Sequence, residues 1–174
     1  MEPRIEEAKS QIRSALKTLQ PGETFGMVAF NGPAKRFKYR GKVGPFPPQP
    51  EVLAAAIKWL NDLGLGYDTN LEKAMKQAFG YKGTNVVVLV TDGVPTTGET
   101  DFKRLAELIR GLNGGHARID TIGLAGDNPT DQQTDPDKAQ QQKQDFEARE
   151  LLAQIARENG GETEVLDKGE TGTR

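Results

Sequence analysis

The sequence predicts an α/β fold, with a doubly wound, mostly parallel sheet and helices on both faces. Three observations carry this reading. The run Val86-Val87-Val88-Leu89-Val90 is short and β-branched and closes in Thr91-Asp92-Gly93, the pattern of a strand buried on both faces. Segments with apolar residues at helical spacing precede and follow it. The elements alternate as α-β-β-α-α-β-α-β-α-β, the order that builds a sheet covered by helices. Ligands of open α/β sheets sit beyond the carboxyl ends of the strands, and Asp92 stands at such an end. It is either a functional residue or a turn carboxylate that accepts backbone hydrogen bonds.

The elements follow in order. From Arg4 to Leu19 the residues Ile5, Ala8, Ile12, Ala15, Leu16 and Leu19 mark one helical face, and Pro21-Gly22 stops the helix. Phe25 to Phe30 reads as a second buried strand, closed by Asn31-Gly32. Lys35 to Val43 is basic and alternating, a hairpin partner at a sheet edge where lysines discourage further pairing. Pro45 to Pro50 is a connector. Glu51 to Leu63 is a helix with Leu53, Ile57 and Leu60 on one face and Trp59 at its border. Gly64 to Asp68 is a glycine-rich loop, and Thr69 to Phe79 is a helix capped by Thr69 or Asp68. Asp101 to Leu112 is a helix ended by Gly114-Gly115, and Ala117 to Leu124 a strand. Residues 126–145 are rich in Asp, Gln, Thr and Pro without apolar periodicity and read as a surface insertion. Phe146 to Glu158 is a helix, Glu162 to Leu166 a weaker last strand, and residues 167–174 a tail. One domain over residues 1–166 is expected.

Composition narrows the function classes. The chain has 174 residues, 35% hydrophobic and 28% charged, and a net charge of −2 with both signs interspersed. Neither nucleic acid nor direct membrane contact is expected from such a balance. The absence of cysteine excludes disulfides and thiolate chemistry, and a single histidine, His116, excludes a histidine-rich metal centre. No apolar run reaches the ~18 residues of a membrane span.

Several phrases together resemble a von Willebrand factor type A domain. They are Phe25–Asn31, Asp68-Thr69-Asn70-Leu71-Glu72-Lys73-Ala74 and Leu89–Gly98. The most specific pair is Thr-Asn-x-x-x-Ala at the head of a helix, followed by an apolar strand ending in Thr-Asp-Gly-x-Pro-Thr. Asp120–Leu124 and Leu152–Gly161 are also similar to bacterial members, so the likeness runs from the first helix to the last strand. It implies a protein-binding module of the adhesion or scaffold type, not an enzyme. It also implies a metal-ion-dependent adhesion site assembled from three loops. One is Asp-x-Ser-x-Ser at the end of the central strand. The second is a threonine, matched by Thr69, and the third an aspartate, matched by Asp92. Thr69, Asp92 and the loops around Gly66 and Pro95 would form the partner-binding face. The ion would be Mg²⁺, or Mn²⁺ or Ca²⁺ in its place. Mg²⁺ takes about six oxygen ligands at ~2.0–2.1 Å and keeps some waters, which leaves a position for an acidic side chain of the partner.

The chain departs from this pattern in its first strand and first loop, because no Asp-x-Ser-x-Ser occurs. Met1 falls where a methionine often follows that motif, so the natural protein is expected to extend upstream. Asp167-x-Gly169-x-Thr171 echoes the loop only faintly and has no buried strand before it. With Thr69 and Asp92 alone, weak metal binding or none is expected, and the domain could be a metal-free structural one. The missing strand would lie between the Phe25–Phe30 and Val86–Val90 strands. Its loss removes several buried side chains worth ~1.5–3 kcal/mol each, against a total domain stability of ~5–15 kcal/mol. The chain should therefore be marginal, pair those two strands directly, or borrow a strand. Self-association through unpaired strand edges is expected.

An enzyme alternative is a haloacid-dehalogenase-like phosphatase, since Val90-Thr91-Asp92-Gly93 and Gly126-Asp127 to Asp131 resemble its acidic loops. The nucleophile position there is Val90, which cannot attack phosphorus. A dinucleotide-binding fold fails for want of Gly-x-Gly-x-x-Gly after a strand, and no Ser/His/Asp set is formed around His116.

Overall fold

The computed structural model describes residues 2–64, 68–91, 94–124 and 136–166. It divides into two compact units, Met1–Thr84 with Pro95–Glu99, and Asn85–Val94 with Thr100–Arg174.

The first unit opens with α1 (Glu2–Thr18), which packs on α2 (Pro50–Asn61). The buried ammonium of Lys9 donates to Asn61 O at 3.0 Å and to Glu6 Oε1 at 3.2 Å. It thus sits at the negative end of the α2 dipole and keeps hydrogen-bond partners despite burial. β1 (Val28–Phe30) pairs antiparallel with β2 (Ala34–Arg36) in the register Val28↔Arg36, Ala29↔Lys35, Phe30↔Ala34. β3 (Lys38–Tyr39) and β4 (Lys42–Val43) form a second hairpin. Its turn residues Arg40 and Gly41 have φ of 49° and 76°, as a tight primed turn requires. The core gathers Leu16, Phe25, Met27, Phe37, Val52, Ala56 and Leu60. Phe37 is at its centre, with ring centroids of Phe46 at 5.7 Å and Trp59 at 5.6 Å. α3 (Leu71–Phe79) packs on β1 and β2. Arg36 fastens it by donating through Nε and Nη2 to Gln77 O, at 3.1 and 2.7 Å.

The second unit contains β5 (Val86–Thr91), α4 (Phe102–Asn113), β6 (Arg118–Leu124), α5 (Pro136–Glu158) and β7 (Thr163–Leu166). The strands form one parallel sheet in the order β5-β6-β7. α5 packs on β6 and β7, and α4 packs on α5. Leu89, Leu105, Ile109, Ile119, Leu151, Leu152 and Ile155 are buried. Asn113, 1% exposed, joins three elements. Its amide donates to Ala117 O and Asn159 Oδ1, both at 2.7 Å, and its oxygen accepts from Ala117 N at 2.8 Å. Such full satisfaction is what makes a buried amide tolerable.

The α/β class with a parallel sheet flanked by helices is therefore observed. Several expectations change. The Phe25–Phe30 strand shortens to Val28–Phe30, because Phe25 instead exchanges backbone bonds with Phe46, both at 2.8 Å. The basic stretch splits into β2 and a separate hairpin. α5 begins at Pro136, so the second half of the expected insertion is helix; residues 125–135 and the tail lie outside the described residues. Phe146 is 63% exposed and Leu112 38%, off the faces assigned to them. Most consequential, β5 is not buried on both faces: Val86 and Val88 are 45% and 47% exposed. Among the described residues β5 pairs only with β6 and β1 only with β2.

Candidate functional site

The chain segment 95–99 and the start of α3 are tied together residue by residue. Thr69 N donates to Thr96 Oγ1 at 2.8 Å. Thr69 O accepts from Thr96 N at 2.9 Å and Thr97 N at 3.3 Å. Asn70 N donates to Asn31 O at 3.2 Å, which brings the β1–β2 turn to the same place. The N-cap of α3 is Asn70, whose side chain accepts from Lys73 N at 2.9 Å. This corrects the expected cap at Thr69 or Asp68. It also leaves the Thr69 side chain outside the capping role, so that the threonine is positioned by its backbone.

Gly98 completes the arrangement. Its φ is 78°, and a Cβ there would stand 2.7 Å from Asn70 Oδ1, so neither the conformation nor the space admits a side chain. One residue on, Glu99 N donates to Glu72 Oε2 at 2.9 Å, and Glu72 pairs with Lys76 one turn along α3. The Lys76 hydrogen bond, followed by that from Glu99 N, lowers the Glu72 carboxyl below its ordinary value of 4.5. Pro95 is buried, and Thr97 Oγ1 is buried with no hydrogen-bond partner among the described residues.

Of the residues singled out in the sequence, Thr69 and Pro95 thus belong to one described cluster. Asp92 and Gly66 lie outside the described residues. Among the described residues no group of three or more Asp, Glu or His is placed to hold a metal ion. Beside the hydroxyls of Thr69 and Thr97 the described cluster holds the Glu72 carboxylate, already engaged by Glu99 N and Lys76, and Asp92 would add another. That set falls short of the roughly six oxygens of a Mg²⁺ shell. Thr96, Asn70 and Glu72 were not singled out from the sequence. Thr96 is 27 residues from the amide it accepts, and only the fold reveals such a pairing. Asn70 before Leu71-Glu72 was a legible cap, masked by two neighbours equally able to serve.

No family model matches the sequence, and no curated protein matches it. Among solved structures the chain is similar to the von Willebrand factor type A protein from Catenulispora acidiphila, with a TM-score of 0.70 at 20% identity. The alignment covers 96% of this chain and 35% of that one, so the chain spans about a third of its length. At that identity the likeness establishes the fold: this chain has a von Willebrand factor type A fold.

Proposed function

We propose that this chain is a protein-binding module that engages its partner through Thr69, Asp92 and the loops around Gly66 and Pro95. The observation that supports the reading most is the way Thr96, Thr97 and Asn70 organise Thr69. Both backbone groups of Thr69 are occupied while its side chain has no part in the cap. A hydroxyl held in this way is suited to a ligand. The fold likeness adds support, since a contact face that includes Thr69 and Asp92 is what the resemblance of the sequence implies.

Mg²⁺ enters this proposal only weakly. The two protein groups offered by Thr69 and Asp92 do not fit a tight site, so the partner is engaged by them directly, through donors of its own that the Thr69 hydroxyl and the Asp92 carboxylate accept. Proteins captured by the immobilised wild-type chain should be lost with Thr69→Ala and Asp92→Ala while far-UV circular dichroism stays unchanged. Calorimetric titration with Mg²⁺ should show no saturable binding below millimolar concentrations. An identical set of captured proteins for wild type and both variants would favour a purely structural domain.

A further inference from the structure

We propose that the tip of the β3–β4 hairpin docks onto a carboxylate-rich segment of a partner protein. Charge is spread unevenly along this chain. Between Glu23 and Glu51 there is no acidic residue, while Lys35, Arg36, Lys38, Arg40 and Lys42 stand close together. The whole chain has a net charge of −2, so with these five cations set aside the remainder carries −7. Arg36 is already engaged, by Gln77 O and by the Tyr81 ring at 4.9 Å. The other four are exposed, and among the described residues none of them has a carboxylate partner. The hairpin holds three of these. Its register sets Lys38 against Val43 and Tyr39 against Lys42. Opposed side chains share a face and successive ones alternate, so Lys38 and Lys42 stand on opposite faces of the ribbon, with Arg40 at the turn.

Lysines on an edge strand also discourage pairing, and Lys35 on β2 needs no other explanation. Arg40 is different, because it lies in a turn with no ladder to protect. Its φ of 49° puts a bulky side chain in the left-handed region, which Asn, Asp or Gly usually fills in such turns. Its guanidinium stands over the Tyr39 ring, 5.2 Å from the centroid. Tyr39 meets Phe46 edge-on at 6.1 Å, and Phe46 packs on Phe37. The guanidinium is thus braced on the core through two rings while the residue stays exposed. A planar fork of donors held in this way matches a carboxylate. Shape and charge select the occupant. A bilayer meets one side of a ribbon, and here the lysines face opposite ways. A DNA duplex carries a phosphate charge about every 1.7 Å of its axis and would run on past the tip, alongside a chain whose remaining charge is negative. A short acidic segment can wrap both faces of the tip and end there. This contact is separate from the one built on Thr69, and neither depends on the other.

Fluorescence anisotropy of a labelled octaglutamate peptide, titrated with the whole chain, tests this. Wild type should bind it saturably, and less tightly as salt screens the exposed charges. Lys38→Glu combined with Arg40→Glu should weaken binding about tenfold with an unchanged circular dichroism spectrum. Lys103→Glu combined with Arg104→Glu changes the net charge equally at exposed positions of α4, and should leave the affinity within about twofold of wild type. If glutamate at the turn disturbs the hairpin, Lys38→Glu with Lys42→Glu decides, with Arg40 retained. A wild type that does not bind saturably overturns the proposal, as do equal losses in the hairpin and α4 variants. Tighter binding to duplex DNA or to phosphatidylglycerol vesicles than to octaglutamate overturns it as well.

Discussion

Thr97 is the residue whose environment and chemistry disagree most openly. Its hydroxyl is buried and has no partner among the described residues, and a buried polar group left unsatisfied costs about 1–3 kcal/mol. Valine has the same shape without the hydroxyl. Thr97→Val should therefore raise stability by about 1 kcal/mol, seen as a higher urea midpoint at unchanged slope. A lower midpoint would mean that a bound water or ion satisfies the hydroxyl in solution. Asn70 is the opposite case, a polar side chain whose oxygen accepts the Lys73 amide. Asn70→Ala removes the α3 cap and should cost about 1 kcal/mol; a midpoint unchanged from wild type would show that Thr69 or Asp68 takes over the cap. These two residues mark what the sequence could and could not disclose. Threonine and asparagine side by side at a helix start announce a cap, but which of them provides it depends on the partner of the other. Here that partner is Thr96, far along the chain.

At the scale of elements, α3 and the segment 95–99 are joined through one carboxylate. Glu72 accepts from Glu99 N at 2.9 Å and pairs with Lys76. Its carboxyl is lowered in the folded chain, chiefly by the Lys76 hydrogen bond and then by the Glu99 amide. The stabilisation is thus complete above the ordinary value of 4.5 and is lost as pH falls through the lowered folded value. The amide proton shift of Glu99 should move over that acidic interval in wild type and stay flat in Glu72→Gln. A flat profile in wild type would dissolve the link. The elements themselves were largely legible, because period 3.6 and unbroken β-branched runs are local signals. Exposure was not. Val86-Val87-Val88-Leu89-Val90 reads as doubly buried whether or not anything covers each face, and in the structure Val86 and Val88 are exposed. Likewise Asp101 and Gly114 bound α4 as their types predict, yet Leu112 at its end turns out exposed.

At the scale of the whole molecule, the α/β order was readable from the alternation of elements, whereas the division into two compact units was not. Contiguous apolar runs say that strands exist but not which strands share a sheet. In the structure β1–β2 and β5-β6-β7 are separate sheets. One core is built around Phe37, and the other is drawn from α4, α5 and the parallel strands. Chains with more than one such unit commonly depart from two-state unfolding. The distribution of chromophores makes this measurable without any label. The chain has a single tryptophan, Trp59, and it belongs to the first unit, against Phe37. Helices occur in both units, so far-UV circular dichroism reports on both while tryptophan fluorescence reports on one. In urea, fluorescence should show a single step and the 222 nm signal two, one coincident with fluorescence and one silent in it. Fully coincident curves would mean that the two cores melt as one cooperative body, and the separation between the sheets would then carry no energetic weight.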